Sequence, residues 1–394
     1  MHLFTKSETD FKLKQFQKKL VENKTDCALL TANSDLFYFT GSVQKGVLFI
    51  PSEGRAVYYV TKNIQRASEE SAVEVVPFDK NELKSRLADM PEIGLAFDTT
   101  TMSEKLWFEK KILPESVTVT DISFLLMTSK MLKHDSEIER IERAAEINRD
   151  IMNFVVEIYK PGMTDIDVQS EIDSHAKRDL GHQQLFYLRG KNMFAGMSLV
   201  VGDKSGLEPT YTDFPVGGKG PNSSVAQGPC GEKIKNSFLV DFLGAVDGYT
   251  ADSTRTFFIN EPGEKIKKIY RELNEVVRFI VSLSEKEMSS GEIYRETIEH
   301  IKRYSWEEGF MGLSQKVPFF GHGIGSEVNQ LPIMAPKQKT KLTENMVVAI
   351  EPKIFVPDYG IVGVEDTWLF KNGKMKSLTG NAENMENFVI NAQI

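Results

Sequence analysis

The sequence predicts an α/β domain followed by an α+β domain, and three observations carry that prediction. A chain of 394 residues is longer than one ordinary domain needs. Short apolar runs alternate with helical stretches over residues 1–125, the pattern of an α/β layer. From residue 237 the chain turns strand-rich, broken by a helical block over 264–308. We place the domains at 1–130 and 131–394.

In order, residues 11–21 repeat apolar side chains at a helical period, and Cys27-Ala-Leu-Leu-Thr reads as a buried strand. Leu36-Phe-Tyr-Phe-Thr-Gly and Gly46-Val-Leu-Phe-Ile-Pro are expected strands closed by Gly and Pro, and Ala56-Val-Tyr-Tyr-Val is another. Ile138, Ile141, Ala144 and Ile147 share one face of a helix expected to run from Asp135 to Tyr159 and stop before Pro161-Gly162. A second helix is expected over 165–180, ended by Gly181. Residues 202–231 hold seven glycines and four prolines, so they predict a long loop, which at this length is usually functional or disordered. Its Gly217-Gly-Lys-Gly-Pro lacks the frame and the following helix of a phosphate-binding loop.

Composition removes several function classes. With 41% apolar and 26% charged residues the chain is globular. A net charge of −8 argues against a nucleic-acid partner, which needs a basic face. No apolar run is long enough to span a bilayer, so no membrane partner is expected. The N-terminus mixes charges through its first turns, unlike a signal peptide, so a cytoplasmic protein is expected. Cys27 and Cys230 are too few for a disulfide framework and read as incidental thiols.

The chemistry lies in the second domain. Asp247-Gly248, flanked by β-prone residues, predicts a two-residue hairpin turn in which 246 faces 249. Asp241 then faces Thr254, Leu243 faces Asp252, and both aspartates point to one sheet face as diagonal neighbours. Two carboxylates on an apolar face are costly unless a positive charge lies between them; alone, the hairpin fits a solvated surface ribbon equally well. Three further segments add to it. His322 sits between glycines in Gly-His-Gly, Glu351 ends the apolar run Met-Val-Val-Ala-Ile-Glu, and Glu365 is embedded in Gly-Val-Glu-Asp-Thr-Trp. Four carboxylates and a neutral imidazole total −4, which two divalent cations balance. This donor set suits Mn²⁺, Fe²⁺, Co²⁺ or Zn²⁺, and a two-metal site can activate a water and polarise a carbonyl for C–N hydrolysis.

The segments 240–257, 321–332, 346–352 and 360–366 resemble the pita-bread metallopeptidases: aminopeptidase P, prolidase, methionine aminopeptidase and creatinase. Tyr38-Phe-Thr-Gly and its surroundings resemble the N-terminal domain of the creatinase and aminopeptidase P branch. The resemblance spans nearly the whole chain. It implies an α/β N-terminal domain and a pita-bread catalytic domain that hydrolyses a small peptide or amide with a water held by two metals. Asp241 would hold one metal, Asp252 and Glu365 would bridge, and His322 and Glu351 would hold the other, with Glu351 relaying the proton. A homodimer is the family expectation.

Three matched positions depart from a proline-specific peptidase. Gln227 stands where the family has a His after its Gly-Pro-Asn-like loop, and Asn329 replaces a second His before a proline. Gly363 replaces the Arg that often precedes the last ligand strand's Glu. Gln and Asn donate hydrogen bonds but do not titrate near neutral pH. Gln227 and Asn329 are the candidate substrate-binding residues, and His182 is a candidate replacement imidazole, with an ordinary surface His as the plainer reading. Tyr211 and Asp213 in the long loop are further candidates. The alternatives are a creatinase-like amidinohydrolase or lyase, or an inactive binding module; the five retained ligand positions favour an enzyme.

Overall fold

The computed structural model describes residues 3–182, 185–189, 194–195, 198–209, 214–380 and 382–391. The candidates Tyr211 and Asp213 lie outside them. The chain divides into two compact units, one of Met1–Ser136 with Tyr187–Phe194 and Ser326–Val328, the other of the remainder.

In the first unit, α1 (Lys6–Glu22) starts where the Thr5 hydroxyl accepts the Glu8 N–H at 3.2 Å. The strands β1 (Cys27–Leu30), β2 (Gly46–Pro51), β3 (Val57–Val60), β4 (Glu74–Pro77), β5 (Glu92–Leu95) and β6 (Thr118–Asp121) form one sheet in the order β4-β3-β2-β1-β5-β6. β1, β2 and β3 pair antiparallel, and the outer pairings are parallel. Buried apolar residues lie in two clusters, one containing Ala28, Leu30, Leu48 and Ile50, the other Cys27, Leu29, Val47 and Phe49. The alternation along β1 and β2 shows that both faces of the sheet are covered.

One expected strand is a helix. Leu36-Phe-Tyr-Phe-Thr lies in α2 (Asn33–Thr40), which ends at Gly41 in the left-handed region with φ 75°. Residues 34 to 40 are all buried, so α2 has no polar face and no helical period to read. Asp35 on α2 anchors a buried charge network. Lys130 Nζ lies 2.7 Å from Asp35 Oδ1 and 2.9 Å from Glu327 Oε1. Arg189 reaches the same two carboxylates at 3.1 and 3.5 Å and also binds Asp98.

In the second unit, α7 (Asp135–Ile158) and α8 (Asp165–Arg178) occupy the expected positions. The connecting helices α3 (Ile64–Glu70), α4 (Lys80–Leu87), α5 (Met102–Lys111) and α6 (Ser123–Ser129) precede them in the first unit. α8 stops before Leu180, and Gly181 takes φ 65° beyond its end. The short β7 (Leu185–Phe186) and β8 (Phe194–Ala195) follow, then β9 (Ser198–Gly202), β10 (Ser237–Val246) and β11 (Tyr249–Ile259).

After α9 (Glu264–Ser284) and α10 (Ser290–Ile301) come β12 (Gly321–Gly323), β13 (Gln330–Ile333), β14 (Val347–Ile350), β15 (Lys353–Val356), β16 (Gly360–Lys371), β17 (Lys374–Ser377) and β18 (Val389–Ile390). The sheet runs β13-β12-β14-β16-β11-β10-β9, with β15 and β17 also on β16 and β18 on β11. α7, α8, α9 and α10 bury Ile151, Ile172, Leu273 and Ile293 in one core with Phe242 and Phe257 of the hairpin.

The hairpin has the expected register: Asp241 pairs with Thr254, Leu243 with Asp252 and Val246 with Tyr249. Asp247 and Gly248 both have positive φ, 51° and 77°, as a mirror-image turn requires. α7 presses on β10 at Gly244, where an added Cβ would lie 2.0 Å from Asn148 Oδ1. Asn148 Nδ2 in turn donates to the Phe242 and Ala251 carbonyls at 3.1 and 3.2 Å, tying helix to hairpin. Among the described residues no helix is long and apolar enough to cross a membrane.

Candidate metal centre

The sheet order explains how residues far apart in sequence meet. β16 lies beside β11, pairing Thr254 with Glu365, and β14 lies beside β16, pairing Ile350 with Asp366. β12 adds His322 opposite Ala349. Glu351 follows β14 and is fixed by its N–H, which donates to Phe320 O at 2.9 Å. Asp252, His322, Glu351 and Glu365 are buried, and Asp241 is half-buried.

Three ligand atoms converge: one oxygen each of Asp252 and Glu365 and one His322 nitrogen lie within 4.8 Å of one another. His322 Nδ1 is 3.0 Å from Gly323 O, so Nδ1–H donates to that carbonyl and Nε2 is left with its lone pair. Asp252 Oδ1 and Glu365 Oε1 are buried without a hydrogen-bond partner. Unpaired buried carboxylate oxygens are costly, and beside a bare imidazole nitrogen they form the donor set a divalent cation requires. The residues present therefore fit a metal.

The pKa shifts have the same origin. Burial first, then the charge of Glu365, pushes Asp241 up to about 7 and Asp252 well above its ordinary range. Burial lifts Glu351 up to about 8 against the opposing pull of Lys353. Burial lowers His322 despite the nearby Glu365 carboxylate, favouring the neutral ligand form.

Supporting residues hold the carboxylates in place. Thr254 Oγ1 donates to Glu365 Oε2 at 2.7 Å, and the Asp252 N–H donates to Thr367 Oγ1 at 2.8 Å. Arg255, fully buried, donates to Glu365 O and pairs with Asp366 Oδ1, both at 2.6 Å, locking β11 to β16. Sequence reading placed Thr254 opposite Asp241 without a role, and passed over Arg255 and Thr367. It also passed over Lys353, 0% exposed, whose Nζ lies 2.7 Å from Glu351 Oε2 and 3.1 Å from Glu365 Oε2. Burial opposes the Lys353 charge, but Glu351 and Glu365 outweigh it and hold the ammonium above its ordinary range. A lysine two residues after Glu351, in an otherwise apolar strand, was the available signal.

The substrate candidates fall differently. Gln227 is half-buried and donates from Nε2 to Val216 O at 2.8 Å. Asn329 takes φ 61° and leaves Oδ1 buried without a partner. His182 is buried rather than on the surface, with Nε2 2.7 Å from the Leu243 carbonyl, to which it donates. Burial lowers its pKa, and that hydrogen bond gives the imidazole a structural task on β10.

Comparison with known proteins agrees with this geometry. The model of metallopeptidase family M24 matches residues 139–372, and that of the creatinase/prolidase N-terminal domain matches 12–129. A Xaa-Pro dipeptidase of Pyrococcus furiosus is 26% identical over 374 residues, covering 93% of this chain and 97% of its own. Solved structures share the fold. The prolidase from Pyrococcus furiosus aligns with TM-score 0.75 at 24% identity, covering 93% of this chain and 99% of its own. The N-terminal domain of the FACT subunit SPT16 from Cicer arietinum aligns with TM-score 0.72 at 13% identity, covering 98% and 99%. The fold is thus an α/β N-terminal domain followed by a pita-bread domain, and a divalent metal belongs to its chemistry. With matches across both halves and a converging donor set at the sheet centre, the chain belongs to metallopeptidase family M24, in its creatinase, aminopeptidase P and prolidase branch, as a metallopeptidase-type hydrolase.

Proposed function

We propose that this protein hydrolyses the C–N bond of Xaa-Pro dipeptides or closely related short peptides. The observation that carries the reading is the convergence of one ligand atom each from Asp252, Glu365 and His322, where Asp252 Oδ1 and Glu365 Oε1 are buried and unpaired. The curated relatives named Xaa-Pro dipeptidase support the substrate class. A divalent cation in that donor set supplies Lewis acidity for the scissile carbonyl and for a water.

The chain's own residues do the rest. Water adds across the amide: its oxygen bonds to the carbonyl carbon, the C–N bond breaks, and one proton passes to the departing nitrogen. Glu351 is the proposed carrier, since its carboxyl lies beside the cluster with Oε1 3.7 Å from His322 Nε2. Gln227 and Asn329 are proposed to bind the substrate by hydrogen bonds where relatives use imidazoles. Asn329 Oδ1, buried and unpaired, is suited to accept a donor from the substrate. His182 is left to its Leu243 contact. We further propose a cytoplasmic homodimer, on the family resemblance alone.

The replacement of two titrating residues by Gln227 and Asn329 supports a second reading, in which the same centre cleaves a creatine-like amide or carries out elimination. A hydrolysis screen of Xaa-Pro peptides beside creatine-like amides, with Mn²⁺ or Co²⁺, separates the two. Cleavage of Xaa-Pro substrates is expected. Asp252→Asn and Glu365→Gln should each lower kcat/KM by about a thousandfold or more, about 4 kcal/mol of barrier. Full activity in either variant would overturn the metal-dependent mechanism, and turnover of creatine-like amides alone would overturn the peptidase reading.

A further inference from the structure

Family resemblance leads to two cations at this centre, yet one position in it is already taken by a side chain of the protein. Lys353 is completely buried, and its Nζ sits between Glu351 Oε2 and Glu365 Oε2 at 2.7 and 3.1 Å. An ammonium bonds to carboxylate oxygens through its hydrogens, using the lone pairs that a metal would use. It also repels any divalent ion brought to the same oxygens.

The lysine is held there by its surroundings. β15 pairs with β16 in the register that sets Lys353 opposite Gly363. A Cβ built on Gly363 would stand 2.9 Å from Lys353 Cγ and 3.0 Å from Leu239 Cδ1. The aliphatic stem therefore lies over the bare Cα of Gly363, and a larger residue there would displace it. Gly363, where the family resemblance leads to an Arg, thus leaves the room that the Lys353 stem fills. Among the described residues, one ligand atom each of Asp252, Glu365 and His322 lie within 4.8 Å of one another, and Asp252 Oδ1 and Glu365 Oε1 have no hydrogen-bond partner.

We propose that the Lys353 ammonium stands in place of a second divalent cation, so that the centre binds one metal ion per chain, at Asp252, His322 and Glu365. This rests on the metal-dependent reading above and changes its stoichiometry. Glu351 then keeps a lysine partner on Oε2 instead of a metal bond, and one carboxylate oxygen remains for proton transfer.

The test counts metal rather than turnover. Chelator-treated full-length protein is titrated with Co²⁺, followed by its visible absorption and by calorimetry, and metal per chain is measured after gel filtration from excess Mn²⁺. The expected endpoint is one equivalent for the wild type and two for Lys353→Met, with Gly363→Ala moving toward two as the stem is pushed aside. Two equivalents in the wild type, or none, would overturn the proposal, as would one equivalent in a folded Lys353→Met. The wild-type count stands even if the variants fail to fold. Xaa-Pro cleavage at two equivalents would sink the stoichiometry and leave the peptidase reading intact; one equivalent without Xaa-Pro cleavage would do the reverse.

Discussion

Two fully buried lysines in this molecule each bridge a pair of carboxylates, and the charge around them differs. In the N-terminal unit Lys130 bonds Asp35 and Glu327, and Arg189 reaches both as well as Asp98. Two cations meet three carboxylates, one of them at the edge of the network. Burial works to raise Asp35, but Lys130 and Arg189 overcome it and hold the carboxyl below its ordinary range. In the second unit Lys353 is one cation among Asp241, Asp252, Glu351 and Glu365. There the balance reverses, and Asp241, Asp252 and Glu351 are all pushed up. A buried network near neutrality is structural; one with a large residual charge lacks a partner, and that deficit, rather than burial or ion pairing as such, marks a metal centre.

The comparison breaks most visibly at Lys130. Lys130→Met strands Asp35 and Glu327 in the interior with Arg189 alone, and should cost about 3–5 kcal/mol of stability, the usual loss when a buried pair loses one member. Excess Mn²⁺ should restore none of it. Denaturant unfolding with and without Mn²⁺ checks both points. A loss below about 1 kcal/mol would place Lys130 among the weakly contributing surface-type pairs and remove the contrast.

The same contrast explains what could be read from the sequence. The hairpin was legible because Asp247-Gly248 fixes its own register locally, and every pairing along 237–258 follows from that turn. His322 and Glu365, which the structure brings together with Asp252, could be singled out because each lies in a short local motif. α2 was not, since a helix buried on all sides shows no period. His182 was misjudged as a surface residue because its partner, the Leu243 carbonyl, lies on a distant strand. Lys353 showed only as a lysine in an otherwise apolar strand; its burial depends on Gly363 across a strand pair, and no local pattern records what an opposite strand leaves empty.

The two networks should also titrate in opposite directions. Asp241 and Glu351 have folded pKa values of about 7 and about 8, above their ordinary carboxyl values. The folded, metal-free protein then binds more protons than the unfolded chain between those limits. Its stability is fully present below the ordinary carboxyl range and is lost as pH rises through 7 to 8. Asp35 has the opposite sign, contributing stability that is lost only as pH falls below the ordinary carboxyl range. Chelated protein should therefore lose about 2 kcal/mol between pH 5.5 and 8, and excess Mn²⁺ should flatten the slope. Melting curves across that window measure it; stability that is flat or rising with pH in chelated protein would show that the carboxylates are already neutralised from within.

The smallest expected effect separates the metal centre from its substrate side. Gln227 donates to the Val216 carbonyl and cannot exchange a proton near neutral pH. A histidine there would add a titrating group without touching Asp252, His322 or Glu365, leaving metal count and stability as they are. If the chain is a retuned Xaa-Pro peptidase, Gln227→His should raise kcat/KM on Xaa-Pro dipeptides by about tenfold, about 1.4 kcal/mol, and add a pH limb near the ordinary imidazole value of about 6.5. The full pH profile decides, because a purely steric effect would shift the rate without adding a limb. An unchanged rate and profile would mean that residue 227 does not face the reacting amide of a dipeptide. The substitution would then reflect a different substrate class, chosen by the walls of the site while the charge-deficient centre stays the same.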